Sequence, residues 1–307
     1  MSDHSVEPEP ATADQGLRAR SLRLGYDDRT VVDDLDVSFP TGRITAVVGA
    51  NACGKSTLLR ALARLLAPAA GAVTLDGRSV HETPTRELAR LLGILPQSPV
   101  APDGLTVVDL VSRGRSPHQT WWRQWSPADE RAVHDALRAT GLTELADRSV
   151  DELSGGQRQR AWIAMAVAQE TPYLLLDEPT TYLDLAHQID VLDLVTDLNR
   201  TEGRTVVMVL HDLNQACRYA DHIIALKGGR LVAEGRPAEV ITPELVADVF
   251  GLRCRIVTDP VSGTPLVVPI GRHHRPAAEQ ETEREAAPDA ESDTAPGAAP
   301  NVVPAVG

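Results

Sequence analysis

Aromatic side chains, lysine and cysteine are all scarce in this chain of 307 residues. Aromatics make up only 3% of the residues, so an apolar core has to be built from Leu, Val, Ile and Ala. Lysine occurs only at Lys55 and Lys227, and arginine supplies the remaining positive charge. The cysteines, Cys53, Cys217 and Cys254, have neither CxxC nor any other metal-like spacing, which indicates reduced thiols.

The chain also lacks a basic net charge, a long apolar run and a secretion signal. Its formal charge of −13 argues against a general nucleic-acid binder, which carries a basic face. No apolar run approaches the ~20 residues that a membrane-spanning helix needs. The first residues, MSDHSVEPEPATADQG, have no basic region followed by an apolar one, as a signal peptide would. We therefore expect a protein that stays in the cytosol and has no nucleic-acid partner.

Composition divides the chain into two polar ends and a folded middle. Residues 1–15 are acidic, and residues 272–307 are rich in Ala, Pro and carboxylates. We expect both ends to be disordered, because they cannot bury enough apolar surface to offset the entropy lost on ordering. Residues 16–271 alternate strand and helix signals, which predicts one α/β domain. Within it, residues from about 98 to 168 carry helical patterns, at Ala128–Thr140 and Gln157–Glu170, and predict an inserted helical subdomain.

Three apolar runs predict strands of a parallel sheet: Ile44–Val48, Tyr173–Asp177 and Thr205–His211. The runs are continuous rather than alternating, which is typical of strands that helices cover on both faces. Each run leads into a polar group, and the carboxyl ends of parallel strands share the edge at which ligands bind. We therefore expect the three polar groups to lie together. After the first run, leucines at helical spacing predict a helix over Ser56–Leu66.

The polar group after the first strand is a loop that fits the pattern G-x-x-x-x-G-K-[ST]. Gly49 and Gly54 permit backbone angles that let consecutive amides point at anionic oxygens, and the next helix adds its positive end. Lys55 is predicted to reach the β- and γ-phosphates of a nucleotide, and Ser56 to offer its hydroxyl to Mg²⁺. The predicted phosphate-binding residues are Gly49, Ala50, Asn51, Ala52, Cys53, Gly54, Lys55, Ser56 and Thr57.

Carboxylates and a histidine follow the other two strands. Asp177 can hold Mg²⁺, directly or through water, and Glu178 can orient and deprotonate an attacking water. A lone histidine such as His211 is usually a satisfied core residue, but its place at the same edge favours contact with the γ-phosphate. Weaker candidates are Gln97, which could ligate Mg²⁺ or water, and Tyr26, which could stack on adenine.

A second anion site is predicted by the pentapeptide LSGGQ at residues 153–157. A serine followed by two glycines at a helix N-terminus can bind an anion. One nucleotide per chain does not need two such sites, so this one is expected to hold the γ-phosphate bound by another copy. ATP would then join a head-to-tail homodimer with two shared sites. The residues concerned are Ser154, Gly155, Gly156 and Gln157.

Taken together, these motifs resemble the ATP-binding subunits of ATP-binding cassette (ABC) transporters over about residues 17–270. The resemblance implies a P-loop NTPase fold of the ABC cassette type, with an antiparallel β region at its N-terminus, and hydrolysis of ATP with Mg²⁺. It identifies LSGGQ as the signature that acts in trans, Gly49–Ser56 as the Walker A loop and Leu174–Glu178 as the Walker B segment. The remaining family positions are matched by Gln97 in the Q-loop, His211 as the switch histidine, Tyr26 as the adenine-stacking aromatic and Asp184 in the loop that crosses the dimer interface.

A narrower resemblance lies in the strings RGRSPH at 113–118, QRQRAWIAM at 157–165 and DEPTTYLD at 177–184. They are similar to the importer branch for ferric siderophores, haem and cobalamin, and most similar to its iron-siderophore group. This implies a homodimer under two transmembrane permease subunits, peripheral on the cytoplasmic face of the membrane, with a substrate-binding lipoprotein or periplasmic receptor as an indirect partner. Nothing in the strings contacts a transported substrate, so haem, cobalamin and other metal chelates stay open.

Two other classes of function are weighed against an importer subunit. A non-transport ABC ATPase that acts on nucleic acid or ribosomes usually carries two cassettes in one chain, whereas this chain has one phosphate loop and one LSGGQ. A P-loop kinase or GTPase would leave the LSGGQ helix unexplained. Finally, Trp121, Trp122 and Trp125 could receive a helix of a membrane subunit, but packing in the core or a loop is favoured.

Overall fold

The computed structural model describes residues 15–120, 122, 125–181 and 183–271. The disorder expected for residues 1–15 and 272–307 concerns residues that, except for Gln15, lie outside this described part. No helix among the described residues is both long and apolar enough to cross a membrane. The strands are β1 Leu17–Tyr26, β2 Arg29–Phe39, β3 Ile44–Gly49, β4 Ala70–Leu75, β5 Arg78–Ser79, β6 Leu92–Leu95, β7 Tyr173–Asp177, β8 Thr205–Val209, β9 His222–Lys227, β10 Arg230–Gly235, β11 Cys254–Thr258 and β12 Pro265–Pro269. The α-helices are α1 Lys55–Leu62, α2 Thr85–Leu91, α3 Val107–Ser112, α4 Pro127–Ala139, α5 Gly155–Ala168, α6 Leu185–Glu202, α7 Leu213–Tyr219, α8 Pro237–Val240 and α9 Pro243–Phe250.

The strands form a large mixed sheet and a smaller antiparallel sheet. In the large sheet the order is β10-β9-β3-β8-β7-β6, and all neighbours run parallel except the edge strand β10. The antiparallel sheet has the order β2-β1-β4-β5, and β11 pairs with β12. The predicted α/β fold, with a parallel core and an antiparallel N-terminal region, is confirmed.

The central strands are buried on both faces, as their continuous apolar runs predict. In β8, Val206 and Met208 belong to the hydrophobic cluster formed with the helices, whereas Val207 and Val209 belong to the cluster shared with α1 and the antiparallel sheet. Successive side chains of a strand point to opposite faces of the sheet. A strand that packs against a hydrophobic cluster on each face therefore has an unbroken apolar run. The predicted strand Thr205–His211 ends earlier, at Val209.

The helix after the phosphate loop is shorter than the sequence predicts. It ends at Leu62 rather than continuing to residue 66. Arg64 adopts a φ of +59°, a left-handed conformation that cannot continue an α-helix. Its guanidinium donates to the backbone oxygen of Thr83 at 2.6 Å, which holds the chain in this turn. As a result Leu65, predicted to lie on the apolar face, is 62% exposed.

A helical segment, α3 to α5, connects the neighbouring parallel strands β6 and β7. Its helices are tied together by Arg115, which is buried. The Nε atom of Arg115 donates to Oδ1 of Asp129 at 2.9 Å, and Nη1 donates to the backbone oxygen of Ala168 at 2.7 Å. Asp129 lies in α4 and Ala168 ends α5, so the buried pair fixes the helix that begins at the LSGGQ sequence. Removing Arg115 would leave the buried Asp129 carboxylate without its ion-pair partner.

Two tryptophans that precede α4, Trp122 and Trp125, do not pack in the core. They are 91% and 47% exposed, so the core alternative is wrong for both, and packing in a loop stays a prediction. Trp121 lies outside the described residues. Among the described tryptophans Trp162, on the apolar face of α5, is buried. Trp125 directly precedes Ser126, the N-cap of α4, so it stands outside the helical periodicity that would direct it inward.

Candidate functional site

The polar groups that follow the parallel strands meet at one edge of the large sheet. Strand register pairs Asp177 with Val209 and Leu95 with Leu176, so Gln97, Glu178 and His211 follow neighbouring strands at nearly the same level. A cleft of about 1520 Å³ opens at this edge. Its lining includes Tyr26, Asn51, Ala52, Gly54, Lys55, Ser56, Thr57, Gln97, Glu178 and His211.

The phosphate loop is held in a conformation that two glycines make possible. Gly49 has a φ of +153°, and a Cβ there would lie 2.3 Å from the backbone oxygen of Leu226. Gly54 has a φ of +104° and is the N-cap of α1. The Nζ atom of Lys55, which is buried, donates to the backbone oxygens of Gly49 at 2.9 Å and Ala50 at 3.0 Å. The loop therefore presents an ammonium group and a helix N-terminus to the cleft, a suitable pair for a polyphosphate.

Gly229, far from the phosphate loop in the sequence, supports the loop through a backbone hydrogen bond. The Gly229 N–H donates to the backbone oxygen of Cys53 at 3.0 Å, and the Gly229 oxygen accepts from the N–H of Asp33 at 3.2 Å. Gly229 has a φ of +78°, and a Cβ on it would lie 2.0 Å from the backbone oxygen of Val31. Sequence reasoning missed this residue, whose signal is the glycine pair at 228–229 between β9 and β10.

We expect Gly229→Ala to lower the free energy of unfolding by about 3 kcal/mol, because the methyl group adds a backbone clash to the strain of a positive φ. The displaced loop should also weaken ATP binding by about tenfold. Urea unfolding and titration with a fluorescent ATP analogue measure the two effects. Gly203→Ala is the matched control, since Gly203 has a φ of +67° and no atom within 4 Å of its Cβ position. Equal losses in both variants would contradict a role for the contact.

Asp177 and Ser56 form a candidate magnesium site. The Ser56 hydroxyl donates to Oδ1 of Asp177 at 2.8 Å, so the two oxygens that would share a cation are already adjacent. Burial raises the pKa of Asp177, and the charge of Glu178 adds to this. A cation bound beside Asp177 would act in the opposite direction and favour the ionised carboxylate. Hydroxyl and carboxylate oxygens are the hard ligands that Mg²⁺ prefers, and this pair fits that ion.

The Glu178 carboxylate is held by three side chains. His211 Nε2 lies 2.5 Å from Oε1, Gln97 Nε2 donates to Oε2 at 2.6 Å, and the Thr181 hydroxyl donates to Oε2 at 3.2 Å. His211 is 46% exposed at its side chain, so it is not the satisfied core histidine of the alternative interpretation. The γ-phosphate contact of His211 and the water or Mg²⁺ contact of Gln97 remain predictions. Together the three groups orient a carboxylate toward the cleft, as a general base requires.

Tyr26 lies at the rim of the cleft, at the end of β1. Its side chain is partly exposed, and its hydroxyl accepts from Nη1 of Arg60 at 3.3 Å. Residues 27–31 of the adjoining turn and β2 also line the cleft, and sequence reasoning missed them. Stacking of Tyr26 on adenine stays a prediction.

The LSGGQ residues lie outside the cleft. Ser154 Oγ accepts from the Gln157 N–H at 3.3 Å, and Gln157 Oε1 accepts from the Ser154 N–H at 3.1 Å, which is a capping box. Ser154 and Gly155 are exposed, and none of the described residues that line the cleft belongs to this pentapeptide. The second anion site of the sequence analysis is therefore separate from the first within one chain.

Asp184 is close to this second site. Its Oδ1 accepts from the His187 N–H at 3.0 Å and caps the start of α6. This backbone hydrogen bond, followed by one from the His187 ring, lowers the pKa of Asp184. A Cβ added to Gly156 would lie 3.4 Å from Cγ of His187, so the ring packs against the LSGGQ glycine.

Comparison with known proteins adds independent findings. A model of the ABC transporter family matches residues 32–181. The ferric enterobactin transport ATP-binding protein of Escherichia coli K12 is 57% identical over 256 residues, which cover 83% of this chain and 94% of the relative. The petrobactin import ATP-binding protein of Bacillus anthracis is 55% identical over 261 residues, covering 85% and 96%.

Solved structures agree with the sequence relatives. One is an inward-facing structure of an ABC transporter of the metal-chelate type, which matches with a TM-score of 0.73 and 32% identity over 85% of this chain and 99% of the other. Another is a dimeric ATP-binding cassette in a post-hydrolysis state with ADP and Pi, with a TM-score of 0.64 and 27% identity over 72% and 98%.

Proposed function

The chain belongs to the ATP-binding proteins of ABC transporters, and from this premise we propose that it powers an importer of ferric siderophores. The observation that carries the proposal is the single cleft in which the phosphate loop, the Ser56–Asp177 pair and the held carboxylate of Glu178 meet. The relatives named for ferric enterobactin and petrobactin support the choice of cargo.

In the proposed reaction each group in the cleft has one task. The amides of residues 49–57 and the Lys55 ammonium bind the β- and γ-phosphates of ATP. Ser56 and Asp177 would hold Mg²⁺, whose charge neutralises the phosphate oxygens when it is bound. Glu178 accepts the proton of the attacking water, while His211 and Gln97 fix the direction of its carboxylate.

We further propose that two copies share each ATP. The exposed Ser154 and Gly155 have no task in their own cleft, and they form a helix N-terminus suited to an anion. In a head-to-tail homodimer, Ser154 of the partner subunit would cover the triphosphate gripped by Lys55. Asp184, exposed beside the same LSGGQ helix, would lie at the interface. The dimeric cassette with ADP and Pi supports this arrangement.

We propose that the protein is located at the cytoplasmic face of the cell membrane, where it binds two permease subunits. Trp122, Trp125 and Val100 are large exposed apolar residues close in sequence to the helical segment, and we propose that they contact a permease subunit. A substrate-binding lipoprotein or periplasmic receptor would deliver the cargo to the permease and would not touch this chain.

A growth experiment tests the cargo. A strain without this gene, starved of iron, should fail to grow on ferric siderophores and should grow when a plasmid restores the wild-type protein. A plasmid that carries Glu178→Gln should not restore growth. Normal growth on every ferric siderophore, together with lost use of haem or cobalamin, would contradict the proposal in favour of another chelate. Normal use of all of these would favour an ATPase without a role in transport.

A further inference from the structure

The segment between Glu178 and Asp184, residues 179–183, is here called the linking loop. It begins next to a strained residue, since Glu178 has a φ of +54° and is not a glycine. Two backbone hydrogen bonds among the described residues of the loop, 179–181 and 183, are long: Thr181 N to Glu178 O is 3.2 Å, and Leu183 N to Thr180 O is 3.4 Å. Contacts from outside the loop therefore add to its support.

Side-chain amides of two glutamines supply that support directly. Gln159, on α5, donates from Nε2 to the backbone oxygen of Pro179 at 3.0 Å. Gln188, on α6, donates from Nε2 to the backbone oxygens of Leu183 at 3.0 Å and Thr180 at 3.4 Å. Backbone oxygens can only accept, so each of these contacts requires a donor on the side chain.

A third glutamine holds the second one in place. Gln215, on α7, donates from Nε2 to Oε1 of Gln188 at 2.6 Å in a part-buried position. The place of Gln215 is fixed by Asp212, whose Oδ1 accepts from the N–H groups of Gln215 at 3.0 Å and Asn214 at 2.7 Å. Asp212 directly follows His211 and is the N-cap of α7, so the helix that carries Gln215 begins two residues after the histidine that contacts Glu178.

We propose that Gln215 and Gln188 are positioning residues for ATP hydrolysis, a step that rests on the proposed function. Gln188 accepts from Gln215 with one end of its amide and donates to the linking loop with the other. An uncharged amide can do both at once, whereas a carboxylate only accepts and an ammonium group only donates. The pair therefore connects the segment after His211 to the loop between the base and Asp184, and it fixes the direction of the Glu178 carboxylate from behind. An error of about 1 Å in such a group can cost about 100-fold in rate.

Isosteric substitutions test the direction of these hydrogen bonds. In Gln215→Glu an oxygen replaces the Nε2 atom that donates to Oε1 of Gln188. Either this contact then becomes repulsive, or the Gln188 amide turns and loses its hydrogen bonds to the linking loop. In Gln188→Glu an oxygen faces the loop oxygens instead. We expect each variant to lower kcat at least about tenfold, while the Kd of a fluorescent ATP analogue changes less than about twofold. Gln215→Lys keeps a donor and should restore most of the turnover.

The measurements are made on the purified full-length chain, with ATP turnover, analogue binding and the unfolding midpoint recorded for every variant. Gln15→Glu is the control for the change in charge, because Gln15 is exposed and lies two residues before β1. A kcat of Gln215→Glu within about twofold of wild type would overturn the proposal, and so would equal damage by Gln215→Glu and Gln215→Lys. Failure of the proposed function has a different signature, because wild type would then show no turnover that Glu178→Gln abolishes.

Discussion

Glutamine in place of Glu178 is expected to lower the turnover of ATP by at least about 100-fold, the loss that follows removal of a general base. The amide has nearly the same shape, and its oxygen can accept from Gln97 while its NH2 group donates to His211 Nε2 once the histidine changes tautomer, so the cleft should keep its form. ATP binding does not need the base, and it should persist. The protein should therefore accumulate as an ATP-bound dimer that elutes earlier from a sizing column.

Phosphate release at saturating ATP and Mg²⁺ gives the rate, and a fluorescent ATP analogue gives the affinity. Glu244→Gln is the matched control, because Glu244 is an exposed carboxylate in the first turn of α9, remote in sequence from every motif. It should behave like wild type. Should Glu178→Gln also hydrolyse ATP near the wild-type rate, another group must accept the proton.

The second large effect is expected from mixing two inactive variants. Lys55→Met removes the cation of the phosphate loop, and Ser154→Asp keeps an N-cap while placing a negative charge where the phosphate of the partner's ATP would lie. Each variant alone should lose about 100-fold or more of its activity. In a mixed dimer both defects fall in the same shared site, and the other site is intact. An equimolar mixture should therefore regain up to about a quarter of the wild-type rate.

A mixture of Lys55→Met with Glu178→Gln is the control, because both substitutions lie on the same side of the shared site. In each mixed dimer one site carries Lys55→Met and the other carries Glu178→Gln. Neither site is intact, so no activity should return. Recovery in this control mixture would mean that Lys55 and Glu178 of one chain serve different sites. No recovery in the mixture with Ser154→Asp would contradict the proposal that Lys55 of one chain and Ser154 of the other share a site.

The fold could be predicted from the sequence where one physical signal acted alone. Short apolar runs such as Tyr173–Asp177 fit strands, because a central strand covered on both faces buries every side chain and a run of this length is short for a helix. Sequence patterns did not predict the structure where tertiary contacts determine the end of a helix or the exposure of a side chain. Leu65 has helical spacing, but Arg64 turns the chain before the helix reaches it. Trp122 is apolar by type, yet its place outside a periodic element leaves it exposed.

The candidate site likewise contains residues that the sequence predicts and residues that it does not. Lys55, Asp177 and Glu178 belong to motifs whose chemistry is local to a few residues, and the sheet brings the motifs together. Gly229 and Gln215 carry no such local pattern, because their tasks arise from contacts with Cys53 and Gln188, far away in the chain. Glutamine and glycine are common in turns and on helices, so their types alone could not reveal these contacts.

The burial of Cys53 within the phosphate loop has a chemical consequence. Its side chain is buried, and this burial raises the pKa of the thiol in spite of the opposing effect of the neighbouring Lys55 charge. Since only the thiolate attacks alkylating reagents or peroxide, the sulfur in the loop is both shielded and chemically quiet. We therefore expect the phosphate loop to resist oxidation at Cys53 while the protein is folded.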